Sequence, residues 1–437
     1  MLTVCEHGQI ILSDANQSLA NGNLRLKERS FRELLSLLDT QDEDEPDFSP
    51  VFTYQRPRGE EQLKVQNYVG VIWISEGVQI EVLPKISKHM ETASARDLLV
   101  RMLVELEDSP FFEGNAADLQ AHAMPIYELL LRCFLEQVVT IVRKGIARTY
   151  VPKQGNLVFL RGKLQITEHL RRNSYNASRV YCEFDEYEAN RPINRLIKGA
   201  LEIVARLATD IENQQICREL LFWFSGVPAT SSYTLDFQRT QRDRLVQHYS
   251  PAMPLCRLIL EHLNPLTQQG ENRVVSMLFP MERVFEAFVA AKLPDQLKAW
   301  RVSTQTKQQA LVESHIGKTM FKLQPDLLFS RGSDKVIGDT KWKLIDENNR
   351  SKNYRISQGD IYQLFGYSRK YLKDQGFREV LLIYPASDKF CGPLKPFWYR
   401  EKYEVLYVVP FDLDSETLML PVESRLHERA LVSSVSS

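Results

Sequence analysis

Two aspartates and a lysine stand inside a pair of short apolar runs in the last third of the chain. The stretch from Leu323 to Leu344 reads LQPDLLFSRGSDKVIGDTKWKL, with Asp326 in the first run and Asp339 and Lys341 in the second. Aspartate is depleted in strands because its short polar side chain competes for backbone hydrogen bonds. If the two runs are paired strands, these polar side chains need an explanation other than packing.

Strand geometry is expected to bring the three side chains together. Side chains at i and i+2 share a face, so Asp339 and Lys341 point the same way, and the turn between the runs brings Asp326 near Asp339. Two carboxylates at short range raise one another's pKa unless a cation lies between them. An incomplete set of oxygen ligands completed by water suits Mg²⁺. A lysine beside such an ion can hold the attacking water and balance the charge of a phosphate.

These residues support two interpretations. One is a metal-dependent phosphodiester hydrolase site. In the other, Asp326 and Asp339 end strands or bind the turn backbone, and Lys341 forms a surface ion pair. Residue types and spacing alone leave both interpretations open.

A predicted helix precedes this stretch and carries two further carboxylates. Glu282 and Glu286 of MERVFEAFVAAKL lie one turn apart along the edge of its apolar face, so either could reach a metal ion or its bound water. A solvated helix margin is the alternative for both. The apolar stripe that should face the core consists of Met281, Val284, Phe285, Phe288 and Val289.

A second predicted helix, SQGDIYQLFGYSRKYLK, follows the stretch. Ser357 and Asp360 fit the spacing of an N-terminal capping pair, which we take as the role of Asp360. Gln363 and Tyr367 share one face. Residues 341–378 carry nine basic and four acidic side chains, a net charge of +5. Such an excess suits a phosphate backbone, although a solvated face explains it equally well.

Composition restricts the classes of protein that remain. The 437 residues allow two or three domains, and 43% hydrophobic with 25% charged residues is typical of a soluble globular protein. The balance of 55 basic and 56 acidic residues shows no global nucleic-acid signature. No apolar run is long enough for a membrane span, and the N-terminus lacks a secretory signal. Six scattered cysteines predict reduced thiols in a cytoplasmic protein without a zinc site.

The pattern along the chain predicts three domains. Residues 1–110 are β-rich, with a hairpin turn at Ser75-Glu76-Gly77, and are expected to bind a partner. Residues 111–265 are mainly helical, with helices at about 125–146 and 188–208, a break at 151–156, and a strand or hairpin at 157–167. A linker at 265–270 leads to residues 266–437. There the order of helix (281–293), strands (300–302, 315–329, 335–344), helix (358–373) and strands (379–385 and YEVLYVVPF) predicts an α/β domain with a mixed sheet, α+β for the chain as a whole.

Several of these segments together resemble a known family. Phe285-Glu286, Pro325-Asp326, Asp339-Thr340-Lys341 and the stretch from Gln363 to Tyr367 look like the core of a PD-(D/E)xK nuclease. YVGVIWISEGVQIEVLPKI, CEFDEYEANRPINRLIKGAL and LFPMERVFEAFVAAKL are similar in order and character to the McrC family, the nuclease subunits of McrBC-type modification-dependent restriction systems. The resemblance extends from about residue 69 to 384 and implies a restriction-endonuclease-like mixed sheet flanked by helices.

The resemblance also implies a metal site. Asp326 and Asp339 would be ligands of Mg²⁺, for which Mn²⁺ can substitute, and the Thr340 carbonyl would complete the set. Glu286, and not Glu282, matches the family's helix acid, acting directly or through a water.

Three further residues would act on the scissile phosphate. Lys341 would orient the nucleophilic water and stabilise the pentavalent phosphate. Gln363 and Tyr367 would shape the site beside it.

McrC-like proteins work with a partner, and the resemblance implies one here: a hexameric McrB-like AAA+ GTPase. The partner would recognise modified double-stranded DNA, and two nuclease domains could pair to cut both strands. This sequence has no GxxxxGK[ST] loop of its own. Arg161, Lys163 and Arg195 are candidate contacts with the ring. The alternatives are a stand-alone RecB-like repair nuclease and a non-cleaving scaffold that activates an AAA+ ring.

Overall fold

The chain forms two compact units. The structure is a computed structural model that describes residues 2–36, 38, 51–74, 78–86, 92–106, 125–176, 178–230, 232–240, 244–262, 275–306, 309–315, 318–400 and 402–427. Unit 1 contains Met1–Val71, Val78–Ser109 and Leu278–Ser437, and unit 2 contains Ile72–Gly77 and Pro110–Met277. The predicted hairpin turn at 75–77 and the linker at 265–270 lie outside the described residues. The division into three domains stays a prediction.

The N-terminal part of unit 1 is β-rich, as predicted. The strands of this region are β1 (Leu2–Cys5), β2 (Gln9–Leu12), β3 (Gln17–Ser18), β4 (Leu24–Leu26), β5 (Phe52–Gln55), β6 (Gln62–Val65), β7 (Tyr68–Ile74), whose last three residues belong to unit 2, and β8 (Val78–Leu83). Two helices accompany them, α1 (Glu28–Ser36) and α2 (Thr92–Val104). Strands β3-β4-β2-β6-β5 form one sheet in that order, and β1 pairs in parallel with β8 in another.

Unit 2 is mainly helical. Its helices are α3 (Ile126–Lys144), α4 (Ile166–Asn173), α5 (Pro192–Leu207), α6 (Ile211–Trp223), α7 (Tyr233–Thr240) and α8 (Ala252–His262). A three-stranded sheet is formed by β9 (Thr149–Leu157), β10 (Lys163–Leu164) and β11 (Val180–Glu188) in the order β10-β11-β9. The predicted break at 151–156 is wrong, because these residues belong to β9. Pro152 is accommodated because β9 is the edge strand of this sheet.

The C-terminal part of unit 1 holds a seven-stranded mixed sheet. After β12 (Val275–Pro280), whose first three residues belong to unit 2, and α9 (Met281–Gln296) come β13 (Arg301–Thr304), β14 (Gln309–His315), β15 (Lys318–Leu323), β16 (Leu327–Arg331), β17 (Asp334–Thr340), α10 (Gln358–Tyr371), β18 (Arg378–Pro385), β19 (Phe397–Arg400), β20 (Glu404–Asp412) and β21 (Thr417–Leu418). The sheet order is β13-β16-β17-β18-β20-β19, with β21 beside β20. The pairs β17–β18 and β18–β20 are parallel, and the outer pairs are antiparallel. The predicted α+β class with a mixed sheet is confirmed.

Helices α9 and α10 cover opposite faces of this sheet. Ile337 of β17 packs in a buried cluster with Leu364 and Tyr367 of α10. On the other face, Phe285 of α9 lies 6.3 Å from Phe411 of β20, ring centroid to ring centroid. Because successive strand residues alternate, Asp339 belongs to the α10 face and Thr340 to the α9 face. The strands between the helices are buried on both faces, which explains the continuous apolar run of β18.

Two predicted strands are shorter in the structure than in the sequence prediction. The strand expected over 315–329 is divided into β15 and β16, with Asp326 in the interval between them. The strand expected over 335–344 ends at Thr340. Pro325 contributes to the division because its nitrogen carries no hydrogen for a strand ladder. The described helices include none with the length and apolar composition needed to cross a bilayer.

Candidate active site

Asp326 joins the ends of two neighbouring strands. Its Oδ2 accepts hydrogen bonds from the backbone nitrogen of Thr340 at 2.7 Å and from the Thr340 hydroxyl at 2.8 Å. Burial raises the pKa of Asp326, although the Thr340 hydrogen bonds and Lys341 oppose the rise. The turn between β16 and β17 therefore brings Asp326 beside the Asp339-Thr340-Lys341 segment, as the sequence predicts.

Asp339 is a buried carboxylate that one described cation only partly satisfies. The residue has no exposed surface, and its Oδ1 accepts no hydrogen bond from any residue that the structure describes. The cation of Lys341 lies against it, with Nζ 2.5 Å from Oδ2. Burial, and next the charge of Asp326, raise the pKa of Asp339 to about 7. A buried carboxylate with one oxygen left unsatisfied is costly, so this position favours a bound cation in addition to Lys341.

Lys341 continues the strand geometry beyond the end of β17. Its backbone nitrogen donates to the Ile383 carbonyl at 2.9 Å, and its side chain reaches Asp339 on the same face, as predicted. Burial lowers the pKa of Lys341, but the Asp339 carboxylate outweighs that effect and the net shift is upward. The ammonium group is therefore charged at neutral pH.

The two glutamates of α9, Glu282 and Glu286, have different surroundings. Glu286 is half-buried, and its pKa is raised by burial and then by the charge of Asp326, with Lys341 opposing. Glu282 is exposed and accepts a hydrogen bond from Asn67 Nδ2 at 2.5 Å. Only Glu286 therefore takes part in the electrostatics of the aspartate pair, although both lie on the same helix edge.

Gln363 and Tyr367 form one hydrogen-bonded unit on α10. Gln363 Nε2 donates to the Tyr367 hydroxyl at 2.7 Å, and that hydroxyl donates to the Gln324 carbonyl at 3.0 Å. Burial raises the pKa of Tyr367, and among the charges that act on it are Asp339 and Asp326. Tyr367 thus anchors the segment that carries Asp326.

Gln305 is a site residue that the sequence interpretation missed. Its Nε2 donates to Glu286 Oε1 at 2.9 Å, and its backbone nitrogen donates to the Asp326 carbonyl at 3.0 Å. Gln324 in turn donates to Gln305 Oε1 at 3.1 Å. Gln305 has a φ of +43°, a left-handed conformation that is uncommon outside glycine and is often found at functional sites. No sequence signal marked it, because glutamine has no preference for this conformation.

The predicted capping role of Asp360 is wrong. Ser357 makes no side-chain capping bond at the start of α10, and Asp360 is buried. Its carboxylate instead binds Lys343 Nζ at 2.9 and 3.2 Å and accepts a hydrogen bond from the Tyr384 hydroxyl at 3.3 Å. The capping spacing was matched, but the Lys343 cation offers a stronger, charge-assisted partner.

The donor set fits a hard cation only in part. Within the described residues, no group of three or more His, Cys, Asp or Glu side chains could hold a metal ion. Asp326 and Asp339 supply two carboxylates, and Oδ1 of Asp339, which has no donor among the described residues, fits a ligand role. Mg²⁺ commonly binds through one or two carboxylates and keeps several waters, so this set is compatible with it. The metal assignment stays a prediction.

A family model and several solved structures match this chain. The family model described as McrBC 5-methylcytosine restriction system component matches residues 63–385. A chain in the refined half-complex of the tetradecameric assembly of Thermococcus gammatolerans McrB AAA+ hexamers with bound McrC is similar, with a TM-score of 0.69, 18% identity, and coverage of 94% of this chain and 95% of that one. A chain of the T. gammatolerans McrBC complex gives a TM-score of 0.51 at 20% identity, covering 71% and 89%. At these identities the structures show a shared fold. No curated protein matches the chain.

Proposed function

The chain belongs to the family of McrBC 5-methylcytosine restriction system components, and from this membership we propose that it is a Mg²⁺-dependent DNA endonuclease subunit with a PD-(D/E)xK site. The observation that carries the proposal is the carboxylate of Asp339. It is fully buried, is held beside Asp326, and has Lys341 on the same face against its Oδ2, while its Oδ1 has no hydrogen-bond donor among the described residues. A purely structural aspartate would have both oxygens satisfied.

The metal site would consist of few protein ligands. Asp326 and Asp339 would hold Mg²⁺ or Mn²⁺, with the Thr340 carbonyl and water completing the set, and Glu286 would act directly or through a water. When bound, the ion supplies Lewis acidity, lowering the pKa of a water and polarising the phosphoryl oxygens. The Thr340 bonds to Oδ2 of Asp326 hold that carboxylate in one orientation.

The side chains around the ion would position water and phosphate. Lys341, as a charged donor, orients the attacking water and stabilises the negative charge on the pentavalent phosphate. The water oxygen forms a bond to phosphorus while the bond to the leaving sugar oxygen breaks. Glu286, whose pKa is raised, can accept a proton from the water. Gln363 and Tyr367 fix the wall of the site beside the scissile phosphate.

The proposed partner is a hexameric AAA+ GTPase of the McrB type, acting with this chain in the cytoplasm. One structure of similar fold holds McrB AAA+ hexamers with bound McrC, and this chain has no nucleotide-binding P-loop of its own. Of the candidate ring contacts, Arg161 and Lys163 are exposed. Arg195 forms an ion pair with Asp236, with its Nε 2.9 Å from Asp236 Oδ2. Arg161 and Lys163 are therefore the better candidates.

Plasmid cleavage tests this proposal. The purified chain is incubated with methylated or unmethylated plasmid, with and without its GTPase partner, GTP and Mg²⁺. We expect cleavage only with all components, and none from an Asp339→Ala protein. Efficient cutting by the chain alone would favour a stand-alone nuclease. Stimulation of GTP hydrolysis without any cutting would favour the scaffold. Unchanged cutting by Asp339→Ala would remove the proposed site.

A further inference from the structure

A hairpin is anchored at the candidate active site by both of its ends. Gln305 precedes the β14–β15 hairpin and Gln324 follows it, and the two side chains are hydrogen-bonded to each other at 3.1 Å. The Tyr371 hydroxyl lies 2.7 Å from the Thr306 carbonyl and 2.8 Å from the Leu323 carbonyl, one at each base of the hairpin. The orientation of the hairpin is therefore tied to the segment that carries Asp326.

Beyond these anchors the hairpin is largely exposed. Among the described residues its two strands pair only with each other, and every residue from 318 to 322 is exposed. The exposed fractions of its apolar side chains are 51% for Leu311, 41% for Met320 and 67% for Phe321. A two-stranded hairpin is marginally stable in water by itself. Apolar side chains gathered on such an element indicate that it contacts another molecule.

Phe321 is held in a strained backbone conformation. Its φ is +57°, in the left-handed region, which is a genuine outlier for a bulky residue. Such strain costs about 1–3 kcal/mol and persists where the surrounding structure imposes it, commonly at ligand contacts. The strain and the exposure of Phe321 together indicate a side chain that is presented to a ligand.

The charge of the hairpin indicates an anionic ligand. Lys318 and Lys322 are exposed, and neither forms an ion pair within the part of the chain that the structure describes. The acidic residue of the described hairpin strands, Glu313, is neutralised by Lys370 Nζ at 3.0 Å. The hairpin thus presents two uncompensated positive charges beside apolar side chains.

We propose that the β14–β15 hairpin enters a groove of duplex DNA next to the scissile phosphate. Lys318 and Lys322 contact backbone phosphates, and Phe321 contacts the groove interior. A two-stranded ribbon fits the major groove, and inserted apolar side chains also occur in the minor groove. The inference rests on the proposed nuclease function and adds the element that would hold the substrate in register with Asp339 and Lys341.

DNA binding by the full-length chain, alone and with its partner, tests the role of the lysines. Affinity for a fluorescent duplex is measured over a range of salt concentrations, in Ca²⁺, with cleavage checked to be absent. In a Lys318→Ala, Lys322→Ala protein, the slope of log Kobs against log salt should fall in magnitude by about 2, because each lysine releases about one counterion. The matched control is Lys27→Ala, Lys298→Ala. Both residues are exposed. Lys298 lies before the first residue of β13, whereas Gln305 follows its last residue.

Phe321 is tested separately. Phe321→Ala should weaken binding about tenfold with an unchanged salt slope, because it removes a contact with bases or sugars and no charge. Phe321→Leu keeps an apolar side chain and should retain most of the affinity. Circular dichroism and thermal melting of each variant show whether it is folded.

Three results would overturn the inference. The first is that the hairpin variants bind and cut DNA as the unmodified protein does. The second is that the wild-type chain binds no duplex DNA, either alone or with its partner. The third is that the variants change only the oligomeric state, which would make the hairpin a contact between two copies. Failure of the proposed function looks different, because then even the unmodified complex does not cut DNA under any of the plasmid conditions.

Discussion

The indole Nε1 of Trp342 donates a hydrogen bond of 2.8 Å to Oε2 of Glu6, although the two residues are 336 positions apart. Trp342 directly follows Lys341, and Glu6 directly follows β1. Lys85 completes the contact, because its backbone nitrogen donates to Glu6 Oε2 at 3.2 Å and its Nζ donates to the Trp342 carbonyl at 2.9 Å. The N-terminal strands are thus part of the scaffold that positions Lys341.

Removing Lys85 should destabilise this scaffold more than removing the whole pair. Glu6 is fully buried and Lys85 is 8% exposed, with their charged groups 3.6 Å apart. Burial raises the pKa of Glu6 and lowers that of Lys85. In Lys85→Met the Glu6 carboxylate keeps its burial but loses the buried Lys85 cation, so we expect a loss of about 3–5 kcal/mol in the free energy of unfolding by urea.

The double variant Glu6→Gln, Lys85→Met should recover a large part of that loss, because no unpaired charge remains. The exposed Lys27→Met serves as control and should change stability by less than about 0.5 kcal/mol. A double variant that is as unstable as Lys85→Met would show that packing, and not the buried charge, dominates.

Asp339 should make the metal-free protein less stable as the pH rises. Its pKa is raised from the ordinary 3.8 to about 7, so between these values the folded protein retains a proton that the unfolded chain has released. The free energy of unfolding therefore falls as pH increases through this window. Asp339→Asn cannot titrate, and relative to it the wild type should lose on the order of 3 kcal/mol between pH 4 and pH 8.

Denaturant titrations in EDTA at several pH values measure this difference. Adding Mg²⁺ at pH 8 should restore stability to the wild type and have little effect on Asp339→Asn, because ligand binding stabilises only a protein that binds it. Parallel pH curves for the two proteins would contradict the assignment of the raised pKa to Asp339.

The two helix glutamates should differ in their effect on cleavage. Glu286→Gln removes a carboxylate that interacts with Asp326 and Lys341, so the cleavage rate of the complete system should fall at least about a hundredfold. Glu282→Gln retains an acceptor for Asn67 Nδ2 and lies outside those interactions, so its rate should stay within about twofold of wild type. Single-turnover cleavage at saturating Mg²⁺ provides the comparison. Equal losses in both variants would mean that helix α9, and not one carboxylate, is what cleavage requires.

Two substitutions of Gln305 should separate the effect of its backbone strain on stability from the effect of its side chain on cleavage. Gln305→Gly and Gln305→Ala both remove the hydrogen bond to Glu286 Oε1, so both should slow cleavage about tenfold. Only alanine keeps a Cβ at a φ of +43°, so the glycine protein should be more stable by about 1 kcal/mol in urea unfolding. If cleavage depends on the stability of the protein and not on the glutamine amide, the glycine variant will cut DNA faster than the alanine variant.

The sequence alone determined the features that depend on short-range periodicity. The spacing of Asp339 and Lys341 placed both side chains on one strand face, and the structure joins them by an ion pair. The stripe that contains Phe285 and Phe288 identified the buried face of α9. Each of these follows from the repeat of one strand or one helix, so neighbouring residues suffice to predict it.

Only the tertiary structure decided which polar groups share an environment. Spacing along α9 does not separate Glu282 from Glu286, and the family resemblance alone selected Glu286. The different surroundings of the two glutamates come from Asn67 and Asp326, which other segments bring to the helix. Asp360 fits a cap by spacing but binds Lys343 instead. The burial of Asp339 likewise comes from strands and helices far along the chain, and the bond from Trp342 reaches back to Glu6. Periodicity determines where a side chain points, whereas long-range packing determines which groups surround it. The pKa values and contacts of the site depend on this long-range packing.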